Sequence, residues 1–403
     1  MILLWGLAGD GPIDAVAKAL AARGAPFVLF DQRRSCEARL RLDFGRRTEG
    51  TLAFGDVTIS LGDVAAIYAR PYEANRLPAI ARASAEARRG VAELEDGLWA
   101  FCELTDARVI NRASAMATNN SKPMQARALE AHGFRIPETL ITTDPEEARR
   151  FWGRHRDVIY KSVSGCRSIV AQLSVDHLAR LDDVIHCPTQ FQKRIPGVDY
   201  RVHVVGTDVF AVRVESDATD YRYAARSGKK LSLAPATLPS DVSQRCIDVT
   251  RALGLLLSGI DLRRTPEGEW YAFEVNPSPC FTYYEEEVGQ PLTARVASLL
   301  ADDALLPVEQ PTAGAEDAVP LQGDALVAVD RRRHLANLVK KMTGVDEQLS
   351  HLVTHALSAK KQSERIERHA DPRSLEEPLH LLPGDGPNVQ PSAGGRQPQG
   401  QRE

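Results

Sequence analysis

Apolar and polar positions follow two different periods in the first third of the chain. Short apolar runs at residues 2–6 and 27–30 flank residues 13–23, where apolar positions recur every three to four residues. A helical period between two short apolar runs predicts a strand, a helix and a strand, so the chain opens with a βαβ-like unit. Residues 64–68 predict a further strand, and residues 79–102 predict one long helix with a charged outer face.

The middle third lacks a regular alternation of strands and helices. A helix is predicted at residues 122–132, and another begins at Asp144, which suits a helix cap and is followed by Pro145. Strands are predicted at residues 140–142, 158–161, 190–195, 200–205 and 209–215. Several of these strands follow one another directly, which indicates mixed sheets and hairpins. The expected fold class is therefore α/β, of the α+β kind.

The end of the chain differs in composition from the rest. Residues 302–322 are rich in proline, alanine and acids, residues 324–369 are highly charged, and residues 383–403 are rich in glycine, proline, glutamine and arginine. These compositions predict a linker, a helical segment and a disordered tail. The helical segment has a narrow apolar stripe that suits docking on the parent domain, closing a homodimer or binding a peptide. The stripe consists of Leu349, Leu352, Val353 and Leu357.

Length, charge and cysteine content exclude several classes of protein. The chain has 403 residues, 43% of them hydrophobic, which is enough for two or three domains with a sizeable core. Its formal net charge of −4 argues against nucleic acid or an anionic membrane as the main partner. The six cysteines lack CxxC spacing, so neither a disulfide framework nor a zinc site is indicated. Without a run of about 18 apolar residues, the chain is expected to be soluble and cytoplasmic.

A predicted β-hairpin at residues 259–276 carries the most informative polar side chains. Two alternating runs flank residues 265–268, Thr-Pro-Glu-Gly, whose proline and glycine suit a type I turn. In the simplest register, Arg264 lies opposite Glu269. The same count places Arg263 opposite Trp270.

This register brings two acids and an amide onto one face. Asp261 lies opposite Ala272 and diagonal to Glu274, and because side chains alternate between faces, Asn276 joins the two acids. These oxygen ligands suit Mg²⁺. The alternative is an ordinary solvated face, and a slip of one residue would separate Asp261 from the other two. The opposite face is predicted to contain Tyr271, Phe273 and Val275.

Other polar residues complete an ordered series along the chain. Lys122 begins a predicted helix, and Lys161 ends a predicted strand before a loop of small residues. The series continues with Gln192, Asp199-Tyr200-Arg201 and Asp220-Tyr221-Arg222, and it ends at the hairpin. In this order and spacing, residues 110–300 resemble the ATP-grasp ligases. The preceding βαβ-like region is similar to the domain that precedes the grasp in that superfamily.

Within the superfamily, the chain resembles the RimK-like branch and especially the graspetide, or microviridin-type, ligases that modify peptides. The similar segments are residues 66–71, residues 136–142, the hinge at 191–196 and the Asp-x-Arg element at 199–201. Three departures are present. Lys193 replaces the usual hinge glutamate, the loop after Lys161 has a single glycine, and no glycine follows Asn276.

The resemblance implies an ATP-grasp fold with an N-terminal βαβ-like pre-grasp domain and a helical or disordered C-terminal extension. The implied boundaries are 1–108 for the pre-grasp domain, 109–190 and 191–305 for the two grasp subdomains, and 306–403 for the extension. It also implies ATP and Mg²⁺ as cofactors, with one or two ions and with Mn²⁺ as a substitute. The implied metal ligands are Asp261, Glu274 and Asn276. The implied nucleotide-binding residues are Lys122, Lys161, Ser164, Gly165, Gln192, Lys193 and Asp199.

The implied reaction joins a carboxylate to an amine or hydroxyl through an acyl phosphate. Arg201 and Arg222 would bind the acyl phosphate or the substrate carboxylate, although surface ion pairs with Asp199 or Asp220 would also explain them. In the graspetide-type version, the substrate is an acidic precursor peptide. Residues 222–230 are then either a loop that closes over this peptide or an ordinary solvated basic loop. A RimK-like ligase of a free amino acid or small acid, and a degenerate nucleotide-binding protein, remain alternatives.

Overall fold

The computed structural model describes residues 1–45, 48–163, 170–216 and 230–302. All of these residues belong to one unit of the chain, Met1–Gln310. The predictions for the C-terminal extension therefore lie outside the described residues. Within the described ranges, no helix is both long enough and apolar enough to cross a membrane.

Strands and helices follow one another irregularly along the described residues. The strands are β1 (Ile2–Gly6), β2 (Phe27–Asp31), β3 (Arg39–Phe44), β4 (Thr48–Phe54), β5 (Val57–Ser60), β6 (Ala66–Ala69), β7 (Arg108–Ile110), β8 (Thr139–Thr142), β9 (Val158–Ser162), β10 (Ala171–Gln172), β11 (Thr189–Lys193), β12 (Val198–Val205), β13 (Asp208–Ser216), β14 (Leu231–Ala236), β15 (Leu257–Arg264) and β16 (Trp270–Asn276). The helices are α1 (Gly11–Ala22), α2 (Pro78–Ala81), α3 (Ala85–Leu104), α4 (Ala113–Met116), α5 (Lys122–Ala131), α6 (Pro145–His155), α7 (Val175–Leu178), α8 (Ser240–Ala252), α9 (Thr282–Val288) and α10 (Leu292–Ala301).

The N-terminal sheet is parallel and has the strand order β2-β1-β6-β7. Its central strand β1 is buried on both faces. Ile2 and Leu4 pack with α1 and α10, whereas Leu3 and Trp5 pack with α3 and a small antiparallel sheet, β3-β4-β5. Because both faces are covered, β1 is apolar at every position instead of alternating. The predicted βαβ-like start is confirmed.

Two N-terminal features differ from the sequence prediction. The single helix predicted at residues 79–102 is two helices, α2 and α3, because Ser84 interrupts it and accepts a hydrogen bond from the Ala87 N–H at 3.1 Å as the cap of α3. The small sheet has no counterpart in the prediction. Its strand β3 packs only Leu40 and Leu42 against the core, and charged residues stand between and beside them.

The second sheet is antiparallel, with the order β10-β9-β11-β8. One face packs Val158 and Phe191 against Phe151 of α6. Side chains alternate along a strand, so Lys161 and Gln190, which are paired across β9 and β11, lie on the other face. This second face points away from α6 and carries two of the predicted nucleotide-binding residues, Lys161 and Gln192.

The third sheet is also antiparallel, with the order β14-β13-β12-β15-β16. Val202 of β12 and Ile260 of β15 pack on the side covered by α5 and α8. Arg201 and Asp261, which are paired in register, therefore lie on the opposite face. The fold thus presents Arg201 and Asp261 on the face away from this core.

Candidate active site

The hairpin between β15 and β16 has a different register from the predicted one. Thr265 pairs with Glu269, with the Thr265 N–H donating to the Glu269 carbonyl at 2.9 Å, so Arg264 lies opposite Trp270 and not opposite Glu269. The turn itself is present, since the Gly268 N–H donates to the Thr265 carbonyl at 2.9 Å. Gly268 has φ of 89°, and this left-handed residue closes a loop of three residues, 266–268, in place of the predicted loop of four, 265–268.

A second irregularity moves the register by one more residue. Between Asp261 and Leu262 the pairing shifts, so Leu262 faces Ala272 whereas Asp261 faces Glu274 directly. The residue left over is Phe273, whose ring lies 5.3 Å from the Arg263 guanidinium carbon. The prediction that Phe273 belongs to the opposite face together with Val275 is therefore wrong, because a bulge changes the alternation.

The two shifts together preserve the predicted convergence of the acids. The first shift alone would have placed Asp261 and Glu274 on opposite faces, and the bulge restores them to one face. Asn276 ends the same strand, opposite Gly259. Its Oδ1 accepts a hydrogen bond from the Ser278 N–H at 2.9 Å, and the second lone pair remains available for another partner.

Two carboxylates directly opposite each other require positive charge nearby, because like charges in that position destabilise a sheet. The guanidinium of Arg201 supplies one such charge, with Nη1 donating to Asp261 Oδ1 at 2.7 Å. The described residues contain no group of three or more His, Cys, Asp or Glu side chains that could hold a metal. The hairpin offers a different set, two carboxylates and one amide oxygen, which fits Mg²⁺ because that ion keeps several waters and shares ligands with phosphates.

Arg201 is buried, and its partner differs from the predicted alternative. The alternative pairs Arg201 with Asp199, but Asp199 accepts two hydrogen bonds from Arg263, at 2.7 and 2.9 Å. Arg201 crosses the backbone of Gly259 so closely that an added Cβ there would lie 2.1 Å from its Nη2. Its Nε also donates to Nε2 of His203 at 3.4 Å. Several elements of the sheet thus fix the direction of this guanidinium.

His203 is completely buried beside Arg201, with its ring 5.2 Å from that of Tyr284. Burial, and secondly the charge of Arg201, hold the pKa of His203 well below its usual value. Its Nδ1 has no hydrogen-bond partner among the described residues. The folded protein therefore keeps His203 neutral.

We expect this histidine to make the protein less stable in mild acid. Below about pH 6.5 the unfolded imidazole takes up a proton that buried His203 does not, so the free energy of unfolding falls as pH falls, by up to about 1.4 kcal/mol per pH unit. Urea unfolding between pH 7.5 and 5 should show a shallower slope for His203→Gln than for the parent. Replacing exposed His186 by Gln is the control and should leave the slope unchanged. An equal slope in His203→Gln and the parent would contradict the prediction.

The end of β16 is held by two buried amide side chains that the sequence prediction does not include. Gln125 of α5 donates to the Val275 carbonyl at 2.6 Å and accepts from the Val275 N–H at 3.2 Å. Asn111 donates to the carbonyls of Leu257 and Pro277, at 2.8 and 2.6 Å. These bonds fix the backbone on both sides of Asn276. The sequence gives only a weak signal for these two residues. Gln125 is a polar residue inside a predicted helix, and Asn111 is a polar residue directly after a short apolar run.

Lys161 lies near the end of β9, and Lys122 contacts the residue that follows it. Lys161 is 9% exposed, and the Nζ of Lys122 donates to the carbonyl of the next residue, Ser162, at 3.2 Å. Gln190, which lies opposite Lys161 on the same face, has a buried Oε1 without a partner among the described residues. Lys161 and the unsatisfied amide oxygen of Gln190 thus share one face, and Lys122 contacts the backbone at the end of the same strand.

The remaining predicted nucleotide-binding residues lie along β11 and β12 or outside the described ranges. Gln192 is buried, donates from Nε2 to the Thr139 hydroxyl at 2.9 Å, and has a buried Oε1 without a partner in the described part of the chain. Lys193 is half exposed, with Nζ 3.8 Å from Glu138 Oε1. Asp199 is engaged by Arg263, as described above. Ser164, Gly165 and Arg222 lie outside the described residues.

Helix α5 connects the lysine pair with the acid pair. Lys122 is its first residue and contacts the end of β9, and Gln125, one turn later, binds the backbone of Val275 between Glu274 and Asn276. Because a helix is rigid over one turn, this arrangement fixes the two polar groups relative to each other. Helix α5 therefore links the end of β9, beside Lys161, with the strand that carries Glu274 and Asn276.

Comparisons with known proteins agree with this geometry. Residues 117–300 match the family model of the RimK-like ATP-grasp domain. Human beta-citrylglutamate synthase B is 27% identical over 218 residues, a match that covers 51% of this chain and 55% of that protein. The match thus spans about half the length of this relative.

Two solved structures share the fold. A RiPP-associated ATP-grasp ligase of Chryseobacterium gregarium, in complex with ADP and a leader and core peptide, superposes with a TM-score of 0.65 at 26% identity, over 75% of this chain and 96% of that chain. The ATP-grasp ligase PsnB, complexed with a phosphomimetic variant of its minimal precursor, Mg and ADP, gives a TM-score of 0.60 at 25% identity, over 74% and 97%. Residues 117–300 are therefore a RimK-like ATP-grasp domain, and the chain has the fold of the ATP-grasp ligases.

Proposed function

We propose that the protein is an ATP-dependent ligase that joins a carboxylate to an amine or hydroxyl and releases ADP and phosphate. The observation that carries this proposal is the link through α5 between the Lys122–Ser162 contact and the backbone beside Glu274 and Asn276. A polyphosphate needs cations at one end and a metal-binding set near its terminal phosphate. The chain has candidates for both on connected elements.

The lysines would hold the phosphates of ATP. Lys161 is almost fully buried on the face of β9 that also carries Gln190, and its compact ammonium suits a phosphate oxygen. Lys122 stands at the first residue of α5, where the helix dipole also favours an anion. The buried Oε1 atoms of Gln190 and Gln192 offer acceptors for donors of the nucleotide.

Asp261, Glu274 and Asn276 would hold Mg²⁺, which supplies charge neutralisation at the phosphates when it is bound. The direct pairing of the two acids is the feature that suits this role, because a divalent cation removes their mutual repulsion. Arg201 holds Asp261 in place from the other side at 2.7 Å. The intact set of Asp261, Glu274 and Asn276 weighs against a degenerate nucleotide-binding protein.

Arg201 would bind the reacting carboxylate. Its Nη1 is directed at Asp261, and the planar guanidinium has the fork geometry that suits a carboxylate or acyl phosphate. In the proposed reaction, a substrate carboxylate oxygen forms a bond to the terminal phosphorus of ATP and the bond to ADP breaks. An amine or hydroxyl then forms a bond to the acyl carbon, loses its proton, and phosphate leaves. Bringing two anions to about 4 Å costs on the order of 4 kcal/mol at an effective dielectric near 20, which such cations offset.

The substrate class that we favour is a precursor peptide with acidic side chains. Both solved structures reported above are ligases complexed with precursor or leader and core peptides. The identity to beta-citrylglutamate synthase B supports the second candidate, a ligase of a free amino acid or small acid. Three further expectations from the sequence are kept as proposals. They are Mn²⁺ as a substitute for Mg²⁺, the domain boundaries given above, and a homodimer.

We expect ADP and phosphate to form only when ATP, Mg²⁺ and a carboxylate substrate are all present. Candidate acidic peptides and free glutamate should be compared at equal concentration, with ADP and phosphate measured by a coupled assay and the product by mass. A product lighter than the peptide by one water would identify ring closure. Release of AMP and pyrophosphate would contradict the acyl-phosphate mechanism.

A further inference from the structure

The loop after Asn276 has few hydrogen-bond donors of its own. Pro277 and Pro279 lack N–H groups, and the Ser278 N–H is directed back to Asn276 Oδ1 at 2.9 Å. The Ser278 hydroxyl and the carbonyls of Pro277 and Pro279 act as acceptors here. They receive donors from parts of the chain more than 150 residues away, as in the bond from Asn111 to the Pro277 carbonyl.

Arg70 supplies most of these donors. It follows β6 in the N-terminal sheet, and its Nη1 donates to the Ser278 hydroxyl at 2.9 Å and to the Pro279 carbonyl at 3.0 Å. Its Nε donates to Asp10 Oδ2 at 3.0 Å. A single guanidinium thus connects the N-terminal sheet with the loop that follows Asn276.

The side chain of Arg70 is itself held firmly. Arg70 and Asp10 are 10% and 6% exposed, and Asp10 caps α1 by accepting from the Ile13 N–H at 3.3 Å. The hydroxyl of Tyr72 donates to the second oxygen of Asp10 at 3.0 Å. Burial alone would lower the pKa of Arg70, but Tyr68 and Asp10 outweigh it and raise the pKa above its usual value. Arg70 therefore stays charged and in one orientation.

We propose that Arg70 is a positioning residue for Mg²⁺ binding, acting through the loop at Ser278 and Pro279 to hold Asn276 in the orientation that ligates the ion. The inference rests on the proposed function, because it takes Asn276 as a metal ligand. Partners of ligands are needed for tight binding, and their loss typically lowers metal affinity by about 10- to 100-fold. Arg70 also makes the N-terminal sheet part of the metal site without contributing a ligand.

The test measures metal-dependent ADP binding by calorimetry, in the absence of any reaction. ADP is titrated into the full-length protein at a series of Mg²⁺ concentrations. The ADP affinity is expected to increase with Mg²⁺, and the quantity compared between variants is the Mg²⁺ concentration at which half of this increase is reached. The main variant is Arg70→Met combined with Asp10→Asn, since removing the arginine alone would leave a buried, uncompensated carboxylate. We expect this concentration to rise by about 10-fold or more, with ADP affinity in the absence of Mg²⁺ unchanged.

Two further variants keep the test decisive. Ser278→Ala removes one acceptor of Arg70 and leaves the buried pair intact, so it should shift the Mg²⁺ dependence in the same direction by a smaller factor even if the double variant fails to fold. Arg33→Met is the matched control. Arg33 pairs with Asp31 at the end of β2 in the same sheet, but it is 55% exposed and makes no contact with the loop after Asn276. The Mg²⁺ dependence of ADP binding in Arg33→Met should therefore equal that of the parent.

The outcomes separate the inference from the proposed function. If ADP binding by the parent is independent of Mg²⁺, the proposed metal site is wrong. If the parent depends on Mg²⁺, and Asn276→Ala removes that dependence while the double variant and Ser278→Ala retain it, the metal site stands and the inference about Arg70 is wrong. A loss of ADP affinity that is equal at all Mg²⁺ concentrations would also overturn it, because it would indicate a general structural role.

Discussion

Glu274→Gln is expected to lower carboxylate-dependent ADP formation by about 100- to 1,000-fold, the scale seen when one preorganised charge-stabilising group is lost. Glutamine keeps the size of the side chain and one acceptor oxygen, but it replaces the other oxygen by an N–H donor and removes the negative charge opposite Asp261. Because glutamine has the same size and position 274 lies on the face away from the core under α5 and α8, the free energy of unfolding should change by less than about 1 kcal/mol. The measurements are ADP release under saturating Mg²⁺ and urea unfolding.

Glu269→Gln is the matched control for this variant. Glu269 belongs to the same hairpin, and its ion pair with Arg135 at 2.8 Å lies at the surface, with 61% of the arginine exposed. Exposed pairs contribute little to stability, so activity and unfolding should both resemble the parent. Full activity in Glu274→Gln would remove the metal site and, with it, the proposed mechanism.

Gly259→Ala is expected to lower activity strongly through Arg201 while the protein still folds. The new methyl group would lie 2.1 Å from Arg201 Nη2 and 2.9 Å from Pro279 Cβ. A flexible guanidinium can move away, so the cost falls on its 2.7 Å ion pair with Asp261 more than on the core. Loss of a buried charge partner and of substrate orientation together should lower kcat/KM by about 100-fold or more.

A double-mutant cycle tests whether Arg201 transmits this effect. In an Arg201→Met background, Gly259→Ala should cause little further loss, because the group that the methyl displaces is already absent. Gly90→Ala is the control, since a Cβ there would meet nothing within 4 Å on α3, and alanine should keep activity and favour the helix by about 0.5–1 kcal/mol. Additive losses from Gly259→Ala and Arg201→Met would show that the glycine acts by another route.

The identity of the hairpin residues could be predicted from the sequence, but their register could not. Polar residues at alternate positions around a Pro/Gly turn are a local pattern, and local patterns are visible in one sequence. The left-handed Gly268 and the bulge at Phe273 depend on how the strands pack against the rest of the sheet. The predicted face containing Asp261, Glu274 and Asn276 survives only because the two shifts compensate.

The supporting residues of the site were beyond prediction for a related reason. Gln125, Asn111 and Arg70 act on backbone groups that lie 150, 166 and 209 residues away in the sequence. A bond to a backbone carbonyl requires no particular residue type at the acceptor, so the acceptor leaves no pattern in the sequence. Chemical groups that meet the substrate are therefore easier to predict than the groups that hold them.

The packing of α10 against the N-terminal sheet has a consequence for synthesis of the chain. Val296 and Leu299 of α10 fill the same core as Ile2 and Leu4 of β1, so the first strand to leave the ribosome is covered by one of the last described helices. Contacts so far apart close late, and chains emerge from the N-terminus first. Helix α1 covers only part of this face, so the nascent protein leaves the part under α10 exposed until about residue 300 has been made, and a fragment that ends earlier keeps that part open to aggregation.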